Sequence, residues 1–193
     1  MVHSDGSFVF VSVGTDHHPF DRLIRWVDEW LLTDLGLRAA CLMQSGASAH
    51  PRHAGWMPYL SQQGIQAAVK RATIVVGHAG PGTIIACRSR GLVPIVVPRR
   101  KALGEAVDDH QLGFAARMAQ EGEVALAESP AALAKLLDRG TEDPSAFRLP
   151  RRSERVEETV HRFATLVEEL VRKGRASEPV MPRLSADLPR SEG

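Results

Sequence analysis

TIVVGHAGPGTIIACRSRG, residues 73–91, opens on the β-branched run Thr73-Ile74-Val75-Val76 and enters a loop with glycine at 77, 80 and 82. It then continues into a segment that stops at Gly91. β-Branched residues pack well on a pleated surface, and glycine just past the last periodic residue is a common helix stop. A fully apolar run, Pro94 to Val97, follows and is closed by Pro98. Strand, glycine turn, helix and apolar strand in that order form a crossover unit whose strands run parallel, with both sheet faces covered.

The same alternation extends in both directions. Upstream, Phe8 to Val13 (FVFVSV) is a strand leading through Gly14-Thr15 to Pro19, which opens a helix with Phe20, Leu23, Ile24, Val27 and Leu31 at helical spacing. Arg38 to Gln44 is a second strand, Trp56 to Leu60 a weak third, and Gly64 to Arg71 a short helix. Downstream, Asp108 or Asp109 caps a helix running to about Gln120, Val124 to Ala127 is the last strand, and Ser129-Pro130 starts a helix ending near Gly140. The expectation is an α/β, Rossmann-like, doubly wound and mostly parallel sheet of about six strands over residues 8–140. Residues 151–173 read as an added amphipathic helix, with Val156, Val160, Phe163, Val167 and Leu170 on one stripe. Residues 174–193 lack periodicity and read as a disordered tail.

Composition narrows the function. With 193 residues, 24 Lys and Arg against 23 Asp and Glu, and 44% hydrophobic content, the chain has a real core and no global field for nucleic acid. Any phosphate binding has to be local. Cys41 and Cys87 show neither CxxC nor zinc spacing, which suits a reducing compartment. The start lacks a signal-peptide pattern and no apolar run approaches the ~20 residues of a membrane span, so the expected location is cytoplasmic.

Three places on the carboxyl edge of the expected sheet carry candidate chemistry. Gly14 and Thr15 end the first strand, where backbone N–H groups and a helix dipole can receive an anion, or where the chain simply turns. In the second loop, Gly80 and Gly82 leave room for a diphosphate and Thr83 offers a hydroxyl, with His78, Ala79 and Pro81 beside them. Its G-x-x-G-x-G order is neither a dinucleotide fingerprint nor a P-loop. His78 is either a ligand donor or a group satisfying a loop carbonyl. At the third, Asp108, Asp109 and Gln111 can bind sugar hydroxyls or serve as a helix cap. Arg99, Arg100 and Lys101 form a basic run that either neutralises a diphosphate or stays solvated. His17 and His18 are fallback general bases, of which at most one is expected to face a ligand because neighbouring loop side chains point apart. No HExxH, GxSxG or Ser-His-Asp order is present, and no metal is expected in catalysis.

These motifs resemble a family. Val11-Ser12-Val13-Gly14-Thr15 with Pro19 to Leu23, His78 to Thr83, and Asp109-His110-Gln111 are similar to the carboxyl-terminal half of glycosyltransferase family 28, over roughly residues 8–140. Among its members the chain looks most like stand-alone small catalytic subunits of two-part UDP-sugar transferases, in dolichol-linked oligosaccharide and bacterial exopolysaccharide synthesis. The resemblance implies the donor-binding half of a GT-B fold, with Gly14, Thr15 and residues 78–83 holding the diphosphate and Gln111 with its acidic neighbours meeting the donor sugar. It departs from the family at Ala86, where a glutamate usually binds ribose.

The resemblance further implies inverting, metal-independent hexosyl transfer from a UDP-sugar to a lipid-linked or polysaccharide acceptor, with no cofactor. A separate, membrane-associated subunit would supply the acceptor half and bring this chain to the inner face of the membrane. Residues 151–173 are then a candidate docking helix or pack on their own sheet, and homo-oligomerisation stays open. Three other readings remain: a non-catalytic nucleotide-sugar-binding module, a nicotinamide-dependent Rossmann enzyme, and a complete transferase for a small soluble acceptor.

Overall fold

The computed structural model of the chain describes residues 6–149. The elements are β1 (Phe8–Ser12), α1 (Asp21–Trp30), β2 (Ala40–Gln44), β3 (Gly55–Met57), α2 (Gln62–Arg71), β4 (Ile74–Gly77), α3 (Pro81–Arg88), β5 (Ile95–Val96), α4 (His110–Gln120), β6 (Ala125–Leu126) and α5 (Pro130–Glu142). The six strands form one sheet in the order β3-β2-β1-β4-β5-β6, and every strand pair in it is parallel. The proposed helix at 151–173 and the tail at 174–193 lie outside the described residues.

Strand alternation sorts the core into two layers. Val9, Val11, Ile74, Val76, Ile95 and Val97 point to one face, where Leu23, Ile24 and Val27 of α1 and Leu133 and Leu137 of α5 cover them. Phe10 and Val75 point to the other, against Ala68 and Val69 of α2 and Cys87 of α3, and Val96 meets Ile84 of α3 and Met118 of α4. Removing one such side chain from water is worth about 1.5–3 kcal/mol. Trp30 ties α1 to α5 by donating its indole N–H to Asp138 Oδ1 at 2.8 Å.

Several element ends differ from the sequence reading. Pro19 does not open α1: Phe20 stands outside it with φ −122° and ψ 49°, its ring buried and its N–H donated to Ser48 Oγ at 2.7 Å. Arg38 belongs to a 3₁₀ turn, Gly36–Arg38, and β2 starts only at Ala40. β3 pairs at Gly55 and stops before Pro58, so Tyr59 and Leu60 are not strand. α2 begins two residues before Gly64 because Ser61 Oγ accepts the Gly64 N–H at 3.1 Å and caps it.

Candidate functional site

β1 is the strand at which connectivity reverses: it pairs with β2 on one side and β4 on the other. The chain leaves β1 for α1 on one face and leaves β4 for α3 on the opposite face, so their carboxyl ends frame a crevice. A cavity of about 1080 Å³ occupies it. Ser12, Gly14, Thr15 and Asp16 line one side, and His78, Gly80, Pro81, Gly82 and Thr83 the floor. Gln62, Ile65 and Gln66 of α2, with Ala86, Ser89 and Arg90 at the end of α3, line the far wall.

The floor is built by omission of side chains. Gly80 is the N-cap of α3 and has no side chain to occupy its first turn, while Pro81 at N1 has no N–H. The Gly80 N–H is used by the His78 carbonyl at 2.8 Å, leaving the Gly82 and Thr83 amides of the first turn without a side-chain cap beside the cavity. Gly14 takes φ +87°, and a Cβ there would stand 2.5 Å from His78 Nε2. A Cβ on Gly80 would overlap the same ring. The imidazole is thus wedged between the two glycine turns.

That wedge keeps His78 neutral. Desolvation, then the nearby Arg99 charge, pull its pKa down to about 4, and a hydrogen bond with Gln111 opposes them only in part. Nδ1 is buried without a hydrogen-bond partner. At neutral pH the ring is an uncharged donor and acceptor lying against the cavity floor.

The first loop is held from beneath. Ser12 Oγ donates to Gln44 Oε1 at 2.6 Å and Gln44 Nε2 donates to the Gly14 carbonyl at 3.0 Å, with both side chains buried. Arg99 does the rest. It is 1% exposed, not part of a solvated basic run, and its Nη1 donates to the carbonyls of His18 (2.8 Å) and Glu105 (2.7 Å) while Nη2 donates to that of Val13 (2.7 Å). Its guanidinium lies over the Phe20 ring, 4.8 Å from the centroid. Burial lowers the Arg99 pKa and the charges of Asp16 and Glu105 oppose that, but a guanidinium titrates so high that it remains a cation. Glu105 is in turn clamped by Arg22, Nε to Oε1 at 2.8 Å and Nη2 to Oε2 at 2.7 Å. A fixed positive charge therefore sits directly behind the turn that receives the ligand. Arg100 is half-buried and Lys101 exposed.

The third motif does not line the cavity. Asp108 accepts the His110 N–H at 3.1 Å and pairs with that residue's ring, and this carboxylate, not that of Asp109, serves the start of α4. Asp109 accepts the Lys101 N–H at 2.8 Å. Gln111 is buried behind His78, its Oε1 accepting the Arg99 N–H at 3.3 Å. The structure thus brings Gln111 to His78 and leaves both aspartates in turn-forming bonds.

His17 and His18 do not point apart. Their rings are 4.0 Å centre to centre, and the Asp16 carboxylate reaches the Nδ1 of both, at 3.6 and 2.6 Å. The same carboxylate accepts the His18 N–H at 2.8 Å, the largest of the effects that hold Asp16 below the usual carboxylate range. Asp16, His17 and His18 offer three ligand atoms within 4.8 Å of one another, a metal-capable grouping among the described residues. Only Asp16 of the three lines the cavity. Cys41 and Cys87 are both driven up to about 12 by burial and are inert as nucleophiles.

Ser12, Gln44 and Arg99 as a loop clamp are not evident from the sequence motifs. The signal available was a polar residue ending an otherwise apolar strand, twice at neighbouring positions of paired strands, Ser12 opposite Gln44.

Among solved structures, the fold is similar to the glycotransferase of kitacinnamycin (TM-score 0.55, 18% identity, 90% of this chain and 41% of that one). It is also similar to a calicheamicin glycosyltransferase (TM-score 0.54, 14% identity, 92% and 44%) and to the spinosyn forosaminyltransferase (TM-score 0.51, 16% identity, 86% and 44%). The chain thus spans less than half the length of these proteins, and at such identity the likeness is one of fold. No curated protein matches the sequence. The glycosyltransferase family 28 C-terminal domain matches over residues 8–170, most of the chain. With its glycine-floored cavity at the reversal of strand order, the chain belongs to that family.

Proposed function

We propose that the chain is the donor-binding half of a UDP-sugar-dependent glycosyltransferase, transferring a hexosyl group with inversion to a lipid-linked or polysaccharide acceptor. The observation that carries this reading is the uncapped first turn of α3 on the cavity floor, between His78 and Thr83. Free amides and a helix dipole there favour a diphosphate, and favour it more as the glycosyl bond breaks and charge grows on the leaving group. Arg99 adds a buried cation behind the loop, so that the chain stabilises the leaving diphosphate without a metal.

The acceptor half is supplied by a separate membrane-associated subunit facing this edge of the sheet, and the chain works in the cytoplasm at the inner face of the membrane. Among the described residues no helix is long and apolar enough to cross a membrane. The general base comes from the partner or, within this chain, from His18, whose ring is oriented by Asp16 as an acid orients the imidazole of a catalytic dyad. Gln111, behind His78, together with Asp108 and Asp109, is assigned to the donor-sugar side.

Calorimetric titration of the full chain with UDP, UDP-sugars and NAD tests the reading. UDP binding that Gly82→Trp abolishes without unfolding supports it. NAD binding in place of UDP, or no UDP binding at millimolar concentration, overturns it. A second reading, a non-catalytic nucleotide-sugar-binding module, is favoured by Ala86, which leaves the far wall of the cavity without a carboxylate. Sugar transfer in the presence of the partner separates the two.

A further inference from the structure

Resting on the donor-site reading, the inference concerns the far wall of the cavity. If the diphosphate sits on the first turn of α3, the nucleoside runs along that helix toward its last turn and α2. Ala86 lies one turn, about 5 Å, beyond Thr83 on the lining side, where a ribose would follow the phosphates. Ribose diols are commonly fixed by a carboxylate that accepts their hydroxyl protons. Here the only carboxylate among the lining residues is Asp16, at the opposite, β1 side of the cavity. The wall instead combines an apolar patch, Ile65 and Ala86, with the amides of Gln62 and Gln66 and the guanidinium of Arg90. Arg90 is exposed, and among the described residues its guanidinium has no hydrogen-bond or ion-pair partner. It is also the only Arg or Lys among the lining residues.

An apolar patch flanked by donors suits a flat base whose edge presents carbonyl acceptors, as uracil does, better than it suits a diol. We propose that this chain selects its donor by the base and not by the ribose: Arg90, with Gln62 and Gln66, holds the carbonyl edge of a pyrimidine over Ile65 and Ala86, and the 2′-hydroxyl goes unread. Ribo- and 2′-deoxyribonucleoside diphosphates are then bound alike. Arg90 and position 86 are the specificity-determining sites, distinct in role from the α3 turn that holds the phosphates.

The test is competition binding of UDP, dUDP and inorganic pyrophosphate to the full native chain and to Arg90→Ala, Arg90→Lys and Ala86→Glu. The native chain is expected to bind UDP and dUDP within about threefold of each other, because no charged hydrogen bond is lost with the hydroxyl. Arg90→Ala weakens both by about tenfold, the size of one charge-assisted bond, and leaves pyrophosphate unchanged, while Arg90→Lys recovers part of the loss. Ala86→Glu introduces the missing acceptor and shifts the preference toward UDP by about tenfold. A native preference for UDP over dUDP beyond about tenfold overturns the proposal, as does an Arg90→Ala variant that loses pyrophosphate as much as UDP. Pyrophosphate binding without UDP binding overturns it while sparing the diphosphate cradle. Failure of all three ligands removes the donor-site reading itself, and the inference with it.

Discussion

The turn from His78 to Thr83 and the segment from Arg99 to Gln111 both leave the carboxyl edge of the sheet, and both carry residues with binding chemistry. They are used in opposite ways. The first lines the cavity with backbone, and its contribution lies in absent side chains: no cap on α3, no Cβ at Gly80. The second runs behind the cavity and contributes side chains to the protein itself, Arg99 to three carbonyls and Gln111 to His78. The difference teaches that a ligand site has a surface and a brace, and that residues rich in charge can belong to the brace.

The sharpest way to break this contrast is to remove the brace. Arg99→Met leaves the carbonyls of Val13, His18 and Glu105 buried without their donor, at about 1–3 kcal/mol each, so a total loss of about 3–5 kcal/mol is expected. Arg99→Lys recovers little, because an ammonium lacks the planar fork that serves three acceptors at once. Urea denaturation reads both. A loss under about 1 kcal/mol for Arg99→Met shows that the loops hold their shape without it and that Arg99 belongs to the ligand instead.

Gly80→Ala strikes the cavity floor. The added methyl overlaps the His78 imidazole, which is itself pinned against Gly14, so ring and turn shift together. Overpacking of this kind costs about 1–3 kcal/mol, and UDP affinity falls with it. Thermal denaturation and titration of the same variant check the two effects. Unchanged stability here means that the ring swings freely and is not a wedge.

Acid provides a gentler probe of the same ring. His78 titrates near 6.5 unfolded and about 4 folded, so between those values the unfolded chain binds more protons and stability falls as pH drops. Above pH 6.5 the group contributes no pH dependence; the loss accumulates down to about pH 4 and then levels off. Denaturation midpoints across that window, compared with His78→Gln, isolate its share. An unchanged acid limb in the variant shows that the ring is solvated.

These contrasts also mark what could be read from the residues alone. The sheet was legible because Val9, Phe10 and Val11, and likewise Ile74, Val75 and Val76, are apolar on both faces, and because Gly91, Gly122 and Pro98 punctuate the chain where elements end. Element starts were less so: Phe20 is apolar at helical spacing but stays outside α1 because its N–H is taken by Ser48, a tertiary contact without local signature. The glycine floor was legible because missing side chains are visible in a sequence. Arg99 was not, since its acceptors Val13 and His18 lie 86 and 81 residues away and are backbone carbonyls, which every residue has. Asp108 and Asp109 look like sugar ligands or caps equally well, and only the loop geometry commits them to His110 and Lys101.

The smallest effect on stability separates floor from brace most cleanly. Gly82 is the second residue of α3, and a Cβ built there meets nothing within 4 Å. Unlike Gly80 it is not needed for packing, so Gly82→Ala relieves the entropy cost of a helical glycine and raises stability by up to about 1 kcal/mol. The open space is, however, the cavity itself. A methyl group there stands where a diphosphate has to approach the backbone amides, so UDP affinity falls while the denaturation midpoint holds or rises. Opposite movement of the two measurements assigns Gly82 to the ligand and Gly80 to the fold. A variant that keeps its UDP affinity moves the phosphates off this turn, and with them the claim that the uncapped amides of Gly82 and Thr83 are what the site presents to its substrate.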